Sequence, residues 1–267
     1  MLHKEHKNLS KRLFKSMLTR YFVKVSPDCD LQALGSSYCS WTIDASRDLS
    51  GMLLISGGLG EDASFDLEFI SRFGSSVILV DPTDRAERHF SSILKRLGSP
   101  ATAVYSEDGN QPVSAYDLSK VSQSQLIFIK KAIWKSRCQL KLYPPKDPSH
   151  VSFGLKRSRK GARGASDFLL VDAVSVQLLM QDLEIQGNFI LKLDVEGAEV
   201  AALHSLLDSG IRPHQILVEY EFLAIRNLHR IWEVIRLHKR LCSLGYEMLF
   251  LHLGKNATYR QIQIFDK

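Results

Sequence analysis

The sequence has little cysteine and no long apolar run. Its four cysteines, Cys29, Cys39, Cys138 and Cys242, lie far apart in 267 residues and form no CxxC pair. Neither a zinc site nor a disulfide framework is therefore indicated, and a reducing cytoplasm is the expected setting. No stretch reaches the ~20 apolar residues that span a bilayer. The N-terminal MLHKEHKNLSKRLFKSMLTRYF lacks the apolar h-region of a secretory signal. The nine histidines show no metal-ligand spacing, and no GxSxG elbow or Ser-His-Asp order is present. No internal repeat is found. At 45% hydrophobic and 9% aromatic content, the chain can still bury a full core.

The formal net charge of +6 is local. Residues 1–24 hold seven Lys/Arg against one Glu and account for all of it, leaving the remainder neutral. Leu9, Leu13, Met17, Leu18, Tyr21 and Phe22 recur at helical spacing there, so the segment reads as a basic amphipathic helix that packs on the domain. Peripheral contact with an anionic membrane, or with nucleic acid, is the alternative. A second basic run, LKRSRKGARGAS (155–166), has two glycines and no periodic apolar face and reads as a loop.

Beyond residue 50, strand and helix signals alternate as in a parallel sheet wrapped by helices. Strands are expected at 52–56, 76–81, 125–134, 188–194 and 215–221, with helices at 62–73, 84–97, about 174–183, after Glu196, and 226–244. A weak helix is expected around 113–122. YEMLFLHL and YRQIQIF close the chain as two strands in hairpin order. CQLKLYPP and HVSFGL read as a hairpin within an insertion at about 135–166. The expected organisation is a basic helical extension over 1–50 and one α/β domain over 51–267.

Such sheets bind ligands past the carboxyl ends of their strands, where strand order reverses. The first turn there reads SGGLGEDASFDLEF, and Gly57, Gly58 and Gly60 remove side chains where backbone would approach a ligand. Gly58, Gly60 and Ala63 also satisfy a GxGxxA dinucleotide fingerprint. However, Glu61 and Asp62 place acids in the turn that would receive a pyrophosphate, an arrangement that suits a cationic, phosphate-free cofactor such as S-adenosylmethionine. Asp81 ends the second strand close to the ~20-residue separation expected for a carboxylate that accepts ribose hydroxyls.

Taken together, GGLGEDASFDLEFISRFG, VILVDPT, FILKLDVEGAEVAAL, RPHQILVEYE and LGYEMLFLHLGKNATYRQI resemble the FkbM family of S-adenosylmethionine-dependent methyltransferases over roughly residues 50–265. The most specific element is K-x-D-x-E-G-A-E, present as Lys192, Asp194, Glu196, Gly197, Ala198 and Glu199. The resemblance implies a class I methyltransferase fold: a Rossmann-like, seven-stranded, mostly parallel sheet with an antiparallel edge hairpin and helices on both faces. It also implies methylation of a hydroxyl on a small molecule or glycan. Gly57, Gly58, Gly60 and Glu61 fall on its cofactor turn, Asp81 on the ribose acid and Asp194 at the cofactor-to-substrate edge. Two positions depart from the family pattern. Ser56 stands where many methyltransferases carry an acid, and Glu221 stands where the family commonly shows histidine after Val-Glu-aromatic.

Side chains two apart on a strand share a face, so Asp194 with Glu196 and Glu219 with Glu221 can converge from neighbouring strand ends. Glu196, Glu219 and Glu221 are the candidate general bases. The cofactor's positive charges, basic side chains such as Lys192 or Arg226, or a divalent cation held by oxygens could balance these acids. Lys192 itself reads as a solvated or paired structural lysine. An Asn/Asp-Pro-Pro-aromatic element, the mark of base-nitrogen methylation, is missing after the fourth strand, as are the basic aromatic strands of RNA-recognition modules. Nucleic acid is therefore not an expected partner. Two rival readings stand beside methyl transfer: an NAD(P)-dependent oxidoreductase on the same sheet, and a basic adaptor without catalysis.

Overall fold

The computed structural model describes residues 19–24, 26–144, 154–155, 168–220, 228–252 and 256–262. Most of the basic N-terminal segment, most of the second basic run and Glu221 lie outside the described residues. Seven strands form the main sheet: β3 (Leu53–Gly57), β4 (Val77–Val80), β5 (Leu126–Ile129), β9 (Phe189–Leu193), β10 (Gln215–Val218), β11 (Tyr246–Leu251) and β12 (Ala257–Gln261). Their order is β11-β12-β10-β9-β3-β4-β5. The pairs among β5, β4, β3, β9 and β10 are parallel, whereas β12 runs antiparallel to both β10 and β11. The expected antiparallel edge is thus refined: the reversed strand is inserted one place in, and β11 forms the border.

The four central strands are buried almost throughout, as required of parallel strands covered on both faces. Alternate residues feed separate cores. Ile55, Leu191, Leu193, Ile216 and Val218 pack with α3 (Val176–Asp182), α4 (Glu199–Asp208) and α5 (Leu228–Ser243). Leu54, Ile190 and Leu217 pack on the opposite face with α1 (Ser64–Phe73) and α2 (Asp84–Leu94). The result is a Rossmann-like α/β sheet with helices on both faces. Among the described residues, no helix is long and apolar enough to cross a membrane.

Several elements differ from the sequence expectation. The strand read at 125–134 is broken after Ile129 by Lys130 and Lys131, and Lys130 turns out to meet Asp84 and Glu87 at the start of α2. The chain then enters a second sheet as β6 (Ala132–Ile133), which joins β7 (Cys138–Leu142) and β8 (Leu169–Val174) in the order β6-β8-β7. β8 was not expected as a strand, because its partner β7 lies about 30 residues earlier and a short apolar run does not reveal its pairing. In place of a helix at 113–122 there is only a 3-10 turn, Val113–Ala115, begun by Pro112.

Within the N-terminal extension, β1 (Leu31–Leu34) and β2 (Trp41–Asp44) form an antiparallel hairpin packed against the sheet. Its anchor is Arg260 of β12, which is buried and pairs with Asp44 at 2.8 Å, with Glu247 at 2.5 Å and with Asp28 at 3.2 Å. Gln215 adds two bonds to the Asp44 backbone. Residues 19–22 are helical, Phe22 is buried, and the Lys24 amide donates to Met248 at the border strand. The end of the basic segment is therefore packed on the domain.

Removing one partner of a buried ion pair leaves the other charge uncompensated. Arg260→Met should lower stability by about 3–5 kcal/mol, read as a shift of the urea midpoint, because buried Asp44 and half-buried Glu247 lose their common partner.

Candidate functional site

Strand order reverses at β3, whose neighbours are β4 on one side and β9 on the other. A crevice at that point, past the strand ends, is the expected ligand site of an open α/β sheet. A cavity of about 400 Å3 lies there, within the ~300–1,000 Å3 range of small-molecule sites. Its floor is the glycine turn. Gly58 and Gly60 have φ of +86° and +54°, and a Cβ on Gly58 would stand 1.9 Å from the Asp194 carbonyl oxygen. Glycine is required at this position because the end of β9 passes directly against the turn. Gly57, expected to touch a cofactor, does not line the cavity; a Cβ there would meet Ile133 at 2.6 Å.

The amides of this turn are committed within the protein. Gly58 donates to the Val80 carbonyl, and Leu59 and Gly60 both donate to Asp81 Oδ2 at 3.0 Å. Asp81 Oδ1 accepts from the Thr83 amide and hydroxyl, so about four acceptor positions of the carboxylate are used. At the start of α1, the Ala63 amide donates to the Tyr116 hydroxyl and the Ser64 amide to Asp62. Asp62 also accepts from the Ser36 hydroxyl. Glu61 does line the cavity, but its carboxylate pairs with Arg85 at 2.6 Å. The acids of the turn are thus partnered. What disfavours a phosphate here is the consumption of the N–H donors that would bind it.

Lys192 lies beneath the turn. Expected to be solvated or paired, it is paired: it is 2% exposed and donates to the Gly58 carbonyl and the Ser56 hydroxyl, each at 3.1 Å. Asp66, fully buried in the first turn of α1, is 3.9 Å away, and the Trp41 ring centroid is 5.2 Å away. Burial opposes the charge on Lys192, but the field of Asp66, Cys39, Asp194 and Asp62 outweighs it and holds the ammonium above its ordinary range.

The acidic elbow follows β9. Asp194 donates its amide to the Gly57 carbonyl, and Glu196 and Gly197 take φ of +48° and +99°. The left-handed conformation costs a side-chain-bearing residue roughly 1–2 kcal/mol, so the bend is imposed by its surroundings. Asp194, Glu196 and Glu219 all line the cavity; Glu221 cannot be placed with them because it lies outside the described residues. Glu199 has a different role. It is 1% exposed, accepts from the Gly197 amide at 2.9 Å, and has no hydrogen-bond partner for Oε2. Burial pushes this carboxyl up to about 8 against the pull of the Gly197 amide, with Asp194 and Glu196 adding to the rise.

The remaining wall was not foreseen. Ile133, Leu140 and Leu142 of the small sheet form an apolar side, and Tyr38 and Cys39 of the hairpin loop form another. The only sequence signals near them are the glycines at 35 and 109. Among the described residues, no group of three or more His, Cys, Asp or Glu is placed to hold a metal ion. No protein-family model matches the chain, and no curated protein matches it.

Glu199 makes stability pH-dependent. Its carboxyl titrates near 4.5 when exposed and near 8 in the fold. Below 4.5 both states hold the proton and nothing is lost. As pH rises towards 8 the unfolded chain releases a proton that the folded chain keeps, so stability falls, and it levels off above 8. Glu199→Gln does not titrate. The variant should therefore gain on the parent across this window by an amount on the order of 4–5 kcal/mol, measured by urea unfolding at stepped pH. A pH-independent difference would mean that Glu199 ionises freely in the fold.

Proposed function

We propose that the chain is an S-adenosylmethionine-dependent methyltransferase of the FkbM type, with a class I methyltransferase fold, that methylates a hydroxyl of a small molecule or glycan. The observation that carries this reading is the commitment of the glycine-turn amides to Asp81, Asp62 and Tyr116. A turn built for close backbone approach, with its N–H donors already used, suits a ligand that brings no phosphate. The carboxylates of Asp194, Glu196 and Glu219 on the cavity wall suit one that brings positive charge. Placement at the switch point of a seven-stranded, mostly parallel sheet agrees with this reading.

When bound, the cofactor supplies an electrophilic methyl group on a sulfonium. The protein's own residues align and deprotonate the acceptor. The Gly58 to Gly60 turn sets the floor, with Lys192 and Asp81 fixing its shape from below and from the side. Glu61, Asp81 and Asp194 line the part of the cavity assigned to the cofactor. Glu196 and Glu219, with Glu221 as the third candidate, are the groups that would take the acceptor's proton. The four cysteines are all free thiols, in keeping with the cytoplasmic setting we assign.

Calorimetric titration of the full chain with S-adenosylhomocysteine and with NAD tests the reading. Saturable binding of the first alone is expected; binding of NAD alone would make the protein an oxidoreductase, and binding of neither would favour an adaptor. Asp81→Asn replaces an acceptor oxygen by donors facing Thr83 or the turn amides. It should weaken S-adenosylhomocysteine by about 1–3 kcal/mol, and an unchanged affinity would reject the role given to this carboxylate.

A further inference from the structure

The hairpin loop between β1 and β2 belongs to no part of the sheet, yet it reaches the cavity. Its position is fixed from the glycine turn. The Gly35 amide donates to Glu68, the Ser36 amide to Ser64 Oγ, the Ser36 hydroxyl to Asp62, and the Cys39 amide to Ser36 Oγ. Every one of these bonds ties the loop to residues 62–68 or to itself, so the loop moves with the floor of the site.

From this loop Tyr38 projects to the 106–111 loop. A Cβ on Gly109 would lie 2.9 Å from Tyr38 Cε1 and 3.2 Å from both Cζ and the hydroxyl oxygen, so the ring rests on the glycine backbone. The 106–111 loop is equally fixed. Gln111 bonds the backbone of Ser106 and Asp108, and its own amide donates to the Glu61 carbonyl. Tyr38 and Gly109 thus close an arch whose two feet stand on the same turn, and both residues line the cavity. The ring is 47% exposed despite these fixed supports. Tyr38 shares this cavity with Asp194 and Glu219 at the strand ends, and burial raises its phenol, with Cys39, Asp194, Glu219 and Asp108 adding to the rise.

We propose that Tyr38 is a specificity-determining residue of this site: its ring, seated on Gly109, is the acceptor-side wall, and the acceptor packs against it. The word acceptor rests on the methyl-transfer reading, whereas the wall itself does not. The ring offers a flat apolar face with an electron-rich surface, which suits an apolar or cationic part of the acceptor next to the hydroxyl handled by the carboxylates. Gly109 is the counterpart. Its backbone is outside the left-handed region, so alanine is conformationally allowed there and its cost falls on the Tyr38 ring.

Cys39, which lines the same cavity, reports on the wall without any ligand. The full chain is alkylated with iodoacetamide, and the Cys39 rate is followed by peptide mass spectrometry. Tyr38→Ala and Gly109→Ala should each speed Cys39 modification by about tenfold or more, the scale of a lost local barrier, while Tyr38→Phe stays near the parent. Gly109→Ala should add nothing in the Tyr38→Ala background, because its effect passes through the ring. Unchanged rates in both alanine variants, or additive effects of the two, overturn the wall. Acceleration shared by Cys242 reports unfolding of that variant, and the other variant then decides. S-adenosylhomocysteine separates the two levels of inference. Protection of Cys39 in the parent supports the cofactor reading, while acceleration without protection keeps the wall and rejects that cofactor. A loss of more than about tenfold in S-adenosylhomocysteine affinity in Tyr38→Ala would move Tyr38 to the cofactor side and overturn the acceptor assignment.

Discussion

One buried ammonium organises the site. Lys192 lies under the glycine turn, donating to the Gly58 carbonyl and to Ser56, with Asp66 and the Trp41 ring around it. A turn whose Gly58, Leu59 and Gly60 amides are spent within the protein leaves carbonyls that need donors, and burying an unpaired carbonyl is costly. Lys192 satisfies one such carbonyl from the adjacent strand and thereby couples the ends of β3 and β9. Its charge is tolerable there because Asp66 is buried beside it. That pairing in turn draws α1 and, through Trp41, the N-terminal hairpin against the sheet.

The same logic of partnered charge extends outwards. Asp81 gathers the turn amides, Arg85 pairs with Glu61, and Arg260 gathers Asp44, Glu247 and Asp28 where the hairpin meets the sheet edge. Among the described residues, two buried carboxyls keep oxygens without a hydrogen-bond partner, both oxygens of Asp66 and Oε2 of Glu199. Glu199 lies under the left-handed bend at Glu196 and Gly197, where it holds the Gly197 amide and leaves the cavity wall to Asp194, Glu196 and Glu219. The opening between the strand ends is thus an acid-edged cavity shaped by fixed backbone, with side walls lent by two segments outside the main sheet.

How far the site could be read in advance varies by residue. Gly58 and Gly60 were legible as a turn and Asp81 as a strand-end acid, because both signals are local. The reason Gly58 must be glycine was not legible, since it is the carbonyl of Asp194 pressing on it. The pairing of Glu61 was not legible, because its partner Arg85 enters from another helix. Tyr38 was invisible: nothing in GSSYCSW specifies that its ring will rest on Gly109. β8 was missed because a strand with partners in an insertion carries no more periodic signal than a short buried run.

By itself the sequence determined the alternation of strands and helices, the place of the glycine turn and the gathering of acids after the fourth strand of the main sheet. Apolar periodicity, glycine and chain order act within a few residues and so can be read along the chain. Tertiary structure decided which charges are neutralised, which amides remain to meet a ligand and what walls the cavity. Those outcomes depend on pairs such as Lys192 with Ser56, 136 residues apart, and Arg260 with Asp44, 216 apart. Their contact is fixed only when the sheet brings distant strand ends together.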